Sequence, residues 1–480
     1  MKRTIVWFRK DLRIHDHAAL WEASQQGIVI PLFIWSEQDR AEYGGNEATS
    51  WWLYHSLEEL KSTFHEQHID LLIKSGDDFE VLMDVIRETK ADAFYFNDRY
   101  ELEEVIRQNT IAAQLESVGV EVARFDGNLL FPPDILNVKG EPYKIFTSFW
   151  KRALQEYVNQ PYPVPVEMEQ FRNDSRSLTP SDLNLPKHSP SLKKHWIAGE
   201  RAGIERWNEF SDDGLYYYKK ERDLMVKEGT STLSPYLASG NISVKSLWHA
   251  AKRINEVTED PTIHQSIEAF LRQLVWREFA YHQLIHHPSI AKFPLRKQFL
   301  EFPWQGTNDD FLKWKEGRTG FPLIDAGMRQ LRETGIIHNR VRMVAASFLV
   351  KHLLIPWQDG YEWFKRSLVD FDMANNATGW QWVAGCGIDS APYFRVFNPY
   401  LQSEKFDPGG AYIRKWVPEL AALPAPFIHK PSEAPTDILE EAGIAIGQTY
   451  PSPMIDHAAA RKRALLAYDT IKGKSQDTTN

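Results

Sequence analysis

Five short β-rich runs, at residues 4–8, 28–35, 71–74, 93–97 and 121–125, alternate with amphipathic stretches. Strands spaced by helical crossovers are driven into parallel register, so residues 1–130 are expected to form a doubly wound parallel α/β sheet domain. A sheet of this kind often holds a dinucleotide at a Gly-x-Gly-x-x-Gly turn after its first strand. Here that turn reads Arg9-Lys10-Asp11-Leu12-Arg13, and no Gly-x-x-x-x-Gly-Lys-Ser/Thr loop occurs. Rossmann-type NAD enzymes and P-loop NTPases are set aside on that ground.

Beyond residue 130 the pattern loosens. Prolines at 161, 163 and 165 and at 186 and 190 mark residues 131–196 as a long interdomain linker. Apolar residues then recur at helical spacing over 267–287, 321–334 and 340–354, which predicts an all-α domain across 197–480. The only cysteine, Cys386, excludes structural disulfides, cysteine zinc sites and iron–sulfur clusters, so redox chemistry would need an organic cofactor. The apolar run 343–350 is far short of a membrane span, and the charged start carries no signal-peptide core, so a cytoplasmic, metal-free protein without membrane association, read as a monomer, is expected. The 56 basic side chains against 65 acidic ones leave a net charge of −9, which argues against a uniformly basic nucleic-acid coat but leaves room for a local basic patch.

Four stretches concentrate chemistry. Residues 229–240 place Thr230, Ser231, Thr232 and Ser234 ahead of Pro235, a hydroxyl-rich helix start suited to phosphate; an ordinary helix cap is the plainer reading. Gln273, Trp276, Arg277 and Ala280 fall on one helical face, where an amide, an indole and a guanidinium can meet a flat ring and a phosphate, or simply form an interface stripe. His338 to Met343 opens a helix with Arg340 and Arg342, although the helix dipole prefers acids there. Residues 370–382 hold two acids, two asparagines and two indoles, too polar to bury without partners. Most of the 17 tryptophans are expected simply to fill core.

Together these stretches, with the opening Val6-Trp7-Phe8-Arg9-Lys10-Asp11-Leu12-Arg13, the run Ala391-Pro392-Tyr393-Phe394-Arg395-Val396-Phe397-Asn398-Pro399 and Glu404-Lys405-Phe406-Asp407, resemble the photolyase/cryptochrome family of blue-light flavoproteins over nearly the whole chain. The resemblance implies FAD, active in its reduced form, within the helical domain. It carries flavin contacts onto Tyr218, Thr230, Ser231, Thr232, Leu233, Ser234, Arg277, Asp370 and Asp372, with Arg342 paired to Asp370 and the Asn376 amide against the ring. It also implies an electron-transfer row of Trp304, Trp357 and Trp380.

Among the family's activities, the His338-Asn339-Arg340 stretch favours light-driven repair of cyclobutane pyrimidine dimers in damaged DNA, a carbon–carbon lyase reaction with no net redox change. Trp276 and Trp382 would flank the flipped lesion, Gln273, Asn339 and Met343 would line its pocket, and Arg222, Arg277, Arg340 and Gln402 would contact the DNA. Gln273 departs from the glutamate of many dimer enzymes. A second, antenna chromophore, folate or deazaflavin, is expected in or beside the α/β domain, where residues 35–53 resemble relatives of plant cryptochromes. The alternatives are a cryptochrome-type photoreceptor without repair, a (6-4) photolyase, and, from another class, a flavin enzyme acting on a small molecule.

Overall fold

A computed structural model describes residues 1–166, 168, 177–227 and 229–472. Five strands, β1 (Lys2–Phe8), β2 (Gly27–Trp35), β3 (Leu72–Ser75), β4 (Ala93–Asn97) and β5 (Glu121–Phe125), form one parallel sheet in the order β3-β2-β1-β4-β5. Side chains alternate across it. Ile5, Trp7, Ile30, Leu32, Phe94 and Phe96 pack on one face, while Val6, Phe8, Val29, Phe33 and Tyr95 pack on the other. Burial of both faces is what a doubly wound parallel sheet requires.

The chain reverses direction across the sheet between β1 and β4, the place where such folds ordinarily admit a ligand. Here side chains fill it. Arg9 donates to the Asn97 carbonyl at 2.6 Å, to Glu104 at 3.2 Å and to Gln108 at 3.1 Å, and Arg99 pairs with Glu101 at 2.9 Å and Glu104 at 3.2 Å. The missing glycine fingerprint therefore has a structural counterpart: long charged side chains stand where backbone would approach a pyrophosphate.

The remainder is helical. Six helices matter to the site: α1 (Phe146–Ala153), α2 (Leu215–Glu221), α3 (Pro261–His286), α4 (Asn339–Ser347), α5 (Trp357–Ser367) and α6 (Met373–Ala384). The helix predicted over 340–354 is α-helical only through Ser347 and widens into a π turn over Phe348–His352. Within 131–196, α1 buries Phe146, Phe149 and Trp150 in the same apolar cluster as Phe279 of α3, while 161–165 and 186–189 have no regular structure.

The two halves meet through buried polar contacts. Gly240 has φ +70°, and any side chain there would collide with the Lys10 carbonyl. Next to it, Asn241 donates to the Leu12 carbonyl at 3.0 Å and accepts from the Trp52 indole at 2.8 Å. Glu200 accepts from the backbone N–H groups of Ile14 and His15 at 2.8 and 2.9 Å. Among the described residues no helix is long and apolar enough to cross a membrane, and no cluster of three or more His, Cys, Asp or Glu is placed to hold a metal.

Candidate functional site

The turn that opens α6 gathers partners from four directions. Asp372 caps α6 by accepting from the Asn375 N–H at 2.8 Å, and it also accepts the Tyr281 hydroxyl of α3 at 2.6 Å. Two residues earlier, both carboxylate oxygens of Asp370 accept from Arg342 of α4 at 3.2 Å, and one accepts the Ser234 hydroxyl at 2.8 Å. Asn376 donates to the Tyr361 carbonyl of α5 at 3.2 Å, which fixes its amide and leaves the oxygen and a second N–H available. Burial and the adjoining Asp372 carboxylate push the Tyr281 hydroxyl well above its usual pKa, so it stays a donor.

The hydroxyl loop stands beside this ring. Arg206 donates to the Ser231 carbonyl at 3.0 Å, Thr232 takes a left-handed φ of 51°, and buried Leu233 leads into a short helix at Ser234. Thr230 is half-buried. Tyr218 of α2 is buried, with the Arg222 guanidinium 5.2 Å over its ring.

Along α3 the predicted face divides. Trp276 is 37% exposed, whereas Arg277 is 9% exposed and turned inward. Its guanidinium donates to the Asn128 carbonyl at 2.8 Å and to Glu278 at 3.0 Å, and lies 4.9 Å over the Tyr281 ring. An arginine so enclosed is not presented to an external phosphate; the expected DNA contact of Arg277 is corrected to an interior position. Glu278, buried and further held by the Leu130 N–H at 2.8 Å, is pushed up to about 7 by burial, against the pull of Arg277.

The other expected DNA residues lie nearer solvent. Gln273 accepts from Arg222 at 3.3 Å and donates to the Ala269 carbonyl at 3.2 Å. Arg340 pairs with Asp223 at 2.7 Å, and although burial favours the neutral acid, Arg340 holds the Asp223 carboxyl below its ordinary range. His338 caps α4, accepting from the Arg340 N–H, while burial keeps its own pKa low. Asn339 is exposed, and its amide lies 3.8 Å from the Met343 sulfur; Trp382 and Gln402 are half-buried.

The three expected electron-transfer indoles sit on adjoining segments. Trp304 is half-buried, and the N–H groups of Gln305 and Gly306 donate to the Leu354 carbonyl at 3.0 and 3.2 Å. Three residues beyond Leu354, Trp357 begins α5 with 1% exposure. One turn further, Gly360 leaves room for the Trp380 ring, which any side chain there would strike. Trp380 is 2% exposed and packs 5.0 Å from Phe364 and 6.4 Å from Trp314. Tyr281, Glu278, Trp314 and Gly360 were not singled out from the sequence; only the one-turn offset of Tyr281 from Arg277 could have suggested it.

A separate cleft of about 600 Å³ opens beyond the ends of β2 and β3, lined by Trp35, Arg40, Tyr43, Asn46, Ser75 and Asn184. It overlaps the 35–53 stretch.

Flavin adenine dinucleotide would need donors for two phosphates and a neutral polar contact for its ring. The Ser231 hydroxyl, the Arg342 guanidinium and the Asn376 amide are donors of those kinds, while the Thr232 and Ser234 hydroxyls donate to the Ser231 carbonyl and to Asp370 and would have to turn to reach a phosphate. Arg342 Nε, moreover, is buried with no hydrogen-bond partner among the described residues. The residues fit the group. Residues 4–167 match the family described as DNA photolyase, and residues 270–470 match the FAD binding domain of DNA photolyase. Deoxyribodipyrimidine photo-lyase of Agrobacterium fabrum is 43% identical, with 98% of each chain covered. Cryptochrome-2 of Arabidopsis thaliana is 36% identical over 96% of this chain and 78% of its own. The crystal structure of a bacterial class III photolyase from Agrobacterium tumefaciens superimposes with a TM-score of 0.94 at 40% identity, covering 98% of both chains. A parallel sheet without a nucleotide fingerprint, joined to helices that gather a flavin-type donor set, thus agrees with relatives of full length, and the chain belongs to the photolyase/cryptochrome family.

Proposed function

We propose that this chain reverses cyclobutane pyrimidine dimers in DNA with light. The observation that carries the reading is the adjacency of Trp276 and Arg277. Consecutive residues of α3 present an indole to solvent, 37% exposed, and a guanidinium to the interior beside Tyr281 and Asp372. A base seated on that indole and a group held by the polar ring are separated only by the width of one helix face. A reduced flavin held by that polar ring would supply a light-absorbing group able to lend a lesion one electron and take it back.

The protein's part is placement. Trp276 and Trp382 offer aromatic faces to a flipped dimer, which leaves the duplex more cheaply than an intact pair. Gln273, Asn339 and Met343 line the pocket, and Arg222, Arg340 and Gln402 meet the backbone. Asp370 fixes Arg342 near the flavin ring, and the unpartnered Nε of that guanidinium would be free to donate to the cofactor. Asn376 places a neutral amide where a carboxylate would oppose an anionic ring. Buried Trp380 and Trp357 and half-buried Trp304 would pass electrons from the surface to the flavin for resupply. The cleft at Trp35 and Tyr43 is of a size to admit the antenna chromophore, a folate or deazaflavin.

The test is illumination of the flavin-loaded protein with a dimer-containing oligonucleotide under reducing conditions. Thymine absorbance is expected to return in the light and not in darkness. Light-induced flavin changes without thymine recovery would replace this reading with a photoreceptor, the alternative favoured by the plant cryptochrome relative.

Arg340→Ala is expected to weaken binding of damaged and undamaged DNA alike by about tenfold, the worth of one charge-assisted hydrogen bond, and to reduce the salt slope by about one. It also leaves the Asp223 carboxylate without its 2.7 Å partner and facing the polyanion. Binding measured across a salt series checks this; an unchanged slope removes Arg340 from the backbone contacts.

A further inference from the structure

A surface indole that must receive a flat base is more useful held still than swinging, because each rotamer frozen on binding weakens the complex. Trp276 is already held. The ring of Phe146, from α1, lies parallel to it with centroids 3.5 Å apart and planes 5° from coincident. Phe146 is itself 2% exposed and meets Phe279 edge-on at 5.8 Å, as does Trp276. Arg272, one turn before Trp276, places its guanidinium 5.2 Å over both Phe146 and Trp150. One indole face is therefore covered and fixed, while the residue keeps 37% of its surface open.

What sets Phe146 is equally specific. It is the first residue of α1, and its N–H donates to the Asp389 carboxylate at 2.9 Å. Asp389 lies in the loop after α6 with φ 50°. That loop is folded back by N–H donation from Cys386 and Gly387 to the Gln381 carbonyl, each at 3.1 Å, and from Ala391 to the Trp382 carbonyl at 3.2 Å. The loop that fastens Phe146 behind one indole is thus bonded to the backbone of the other.

We propose that Phe146, anchored by Asp389, is a positioning residue that pre-sets Trp276 as a stacking platform and couples its position to that of Trp382, giving selectivity for a flipped dimer over undamaged DNA. This rests on the repair reading. Phe146 stands behind the indole, so it acts on recognition through Trp276 rather than on the bond-breaking step.

The experiment labels the flavin-loaded full chain with 5-fluorotryptophan and assigns Trp276 by the resonance lost in Trp276→Phe. Phe146→Leu, which keeps apolar volume but removes the ring, is expected to move and broaden that resonance. It should lower affinity for a dimer-containing oligonucleotide roughly three- to tenfold, with undamaged-DNA affinity and the repair rate at saturation unchanged. Phe146→Tyr should restore both the resonance and the selectivity, and Asp389→Ala should shift both in the direction of Phe146→Leu. An unmoved resonance, or equal losses on both DNAs, overturns the proposal while leaving repair intact. Equal affinity of the unaltered protein for the two DNAs overturns the repair reading and this proposal with it.

Discussion

Arg342→Ala is expected to yield a folded protein that no longer retains flavin. The side chain meets Asp370 at 3.2 Å through Nη2, while its Nε is buried with no hydrogen-bond partner among the described residues and would be free to donate to the cofactor. The Asp370 side chain is 6% exposed, so truncating Arg342 strands a nearly buried carboxylate with the Ser234 hydroxyl as its remaining side-chain donor among the described residues. Breaking a buried pair in this way costs about 3–5 kcal/mol, and the 28% exposure of Arg342 puts the expected value at the lower end. The pair joins α4 to the turn that opens α6, so that loss loosens the ring where it holds the cofactor. Flavin absorbance per protein after gel filtration should fall below about a tenth of the unaltered value, with the melting temperature lowered by several degrees and helical dichroism retained. Asp370→Asn, which keeps an oxygen for Ser234 and loses only the charge, should retain more flavin than Arg342→Ala. Full flavin content in Arg342→Ala would remove this guanidinium from the site.

The five strands and the helical character of the second half were legible because burial imprints a pattern on sequence: short β-rich runs for the strands, a period of 3.6 for α3. Both faces of β1 and β2 are covered, and their near-continuous apolar runs announce this. The site residues came from motif resemblance, since no periodicity indicates that Arg342 would reach Asp370 across 28 positions. What the sequence withheld is of two kinds. Partners contributed by distant segments, such as Asp223 for Arg340 or Asn128 for Arg277, depend on packing of the two halves and leave no local pattern. Phe146 was hidden because 131–196 reads as linker from its prolines, yet α1 is a short helix whose burial comes from α3 rather than from its own propensity. Arg277 was misread in one respect. A helical face defined by spacing includes residues up to about 100° apart, enough for Trp276 to meet solvent while its neighbour enters the core.

Trp380→Phe is expected to abolish most photoreduction of oxidised, flavin-loaded protein while leaving repair intact once the flavin is reduced chemically. Phenylalanine keeps an aromatic ring in the Trp380 cavity against Phe364 and the open backbone at Gly360, but a phenyl ring yields an electron far less readily than an indole. The substitution is structurally mild. Trp380 Nε1 is buried with no hydrogen-bond partner among the described residues, so no bond is lost, and removal of that stranded N–H offsets part of the roughly 1–2 kcal/mol cost of a smaller ring. Under steady blue light with an external electron donor, the initial rate of flavin bleaching should drop tenfold or more, equivalent to about 1.4 kcal/mol or more on the barrier. Dimer repair by the dithionite-reduced protein should stay within about twofold. Trp314 lies 6.4 Å from Trp380 and is the one other indole in ring contact with it among the described residues, so the double variant Trp380→Phe, Trp314→Phe identifies any bypass. Photoreduction that survives in the single variant and vanishes in the double one transfers the first relay position to Trp314. Photoreduction that survives in both removes this side of α6 from the electron path. Loss of repair together with photoreduction in chemically reduced protein makes Trp380 a determinant of the lesion reaction itself, contrary to its burial between α5 and α6.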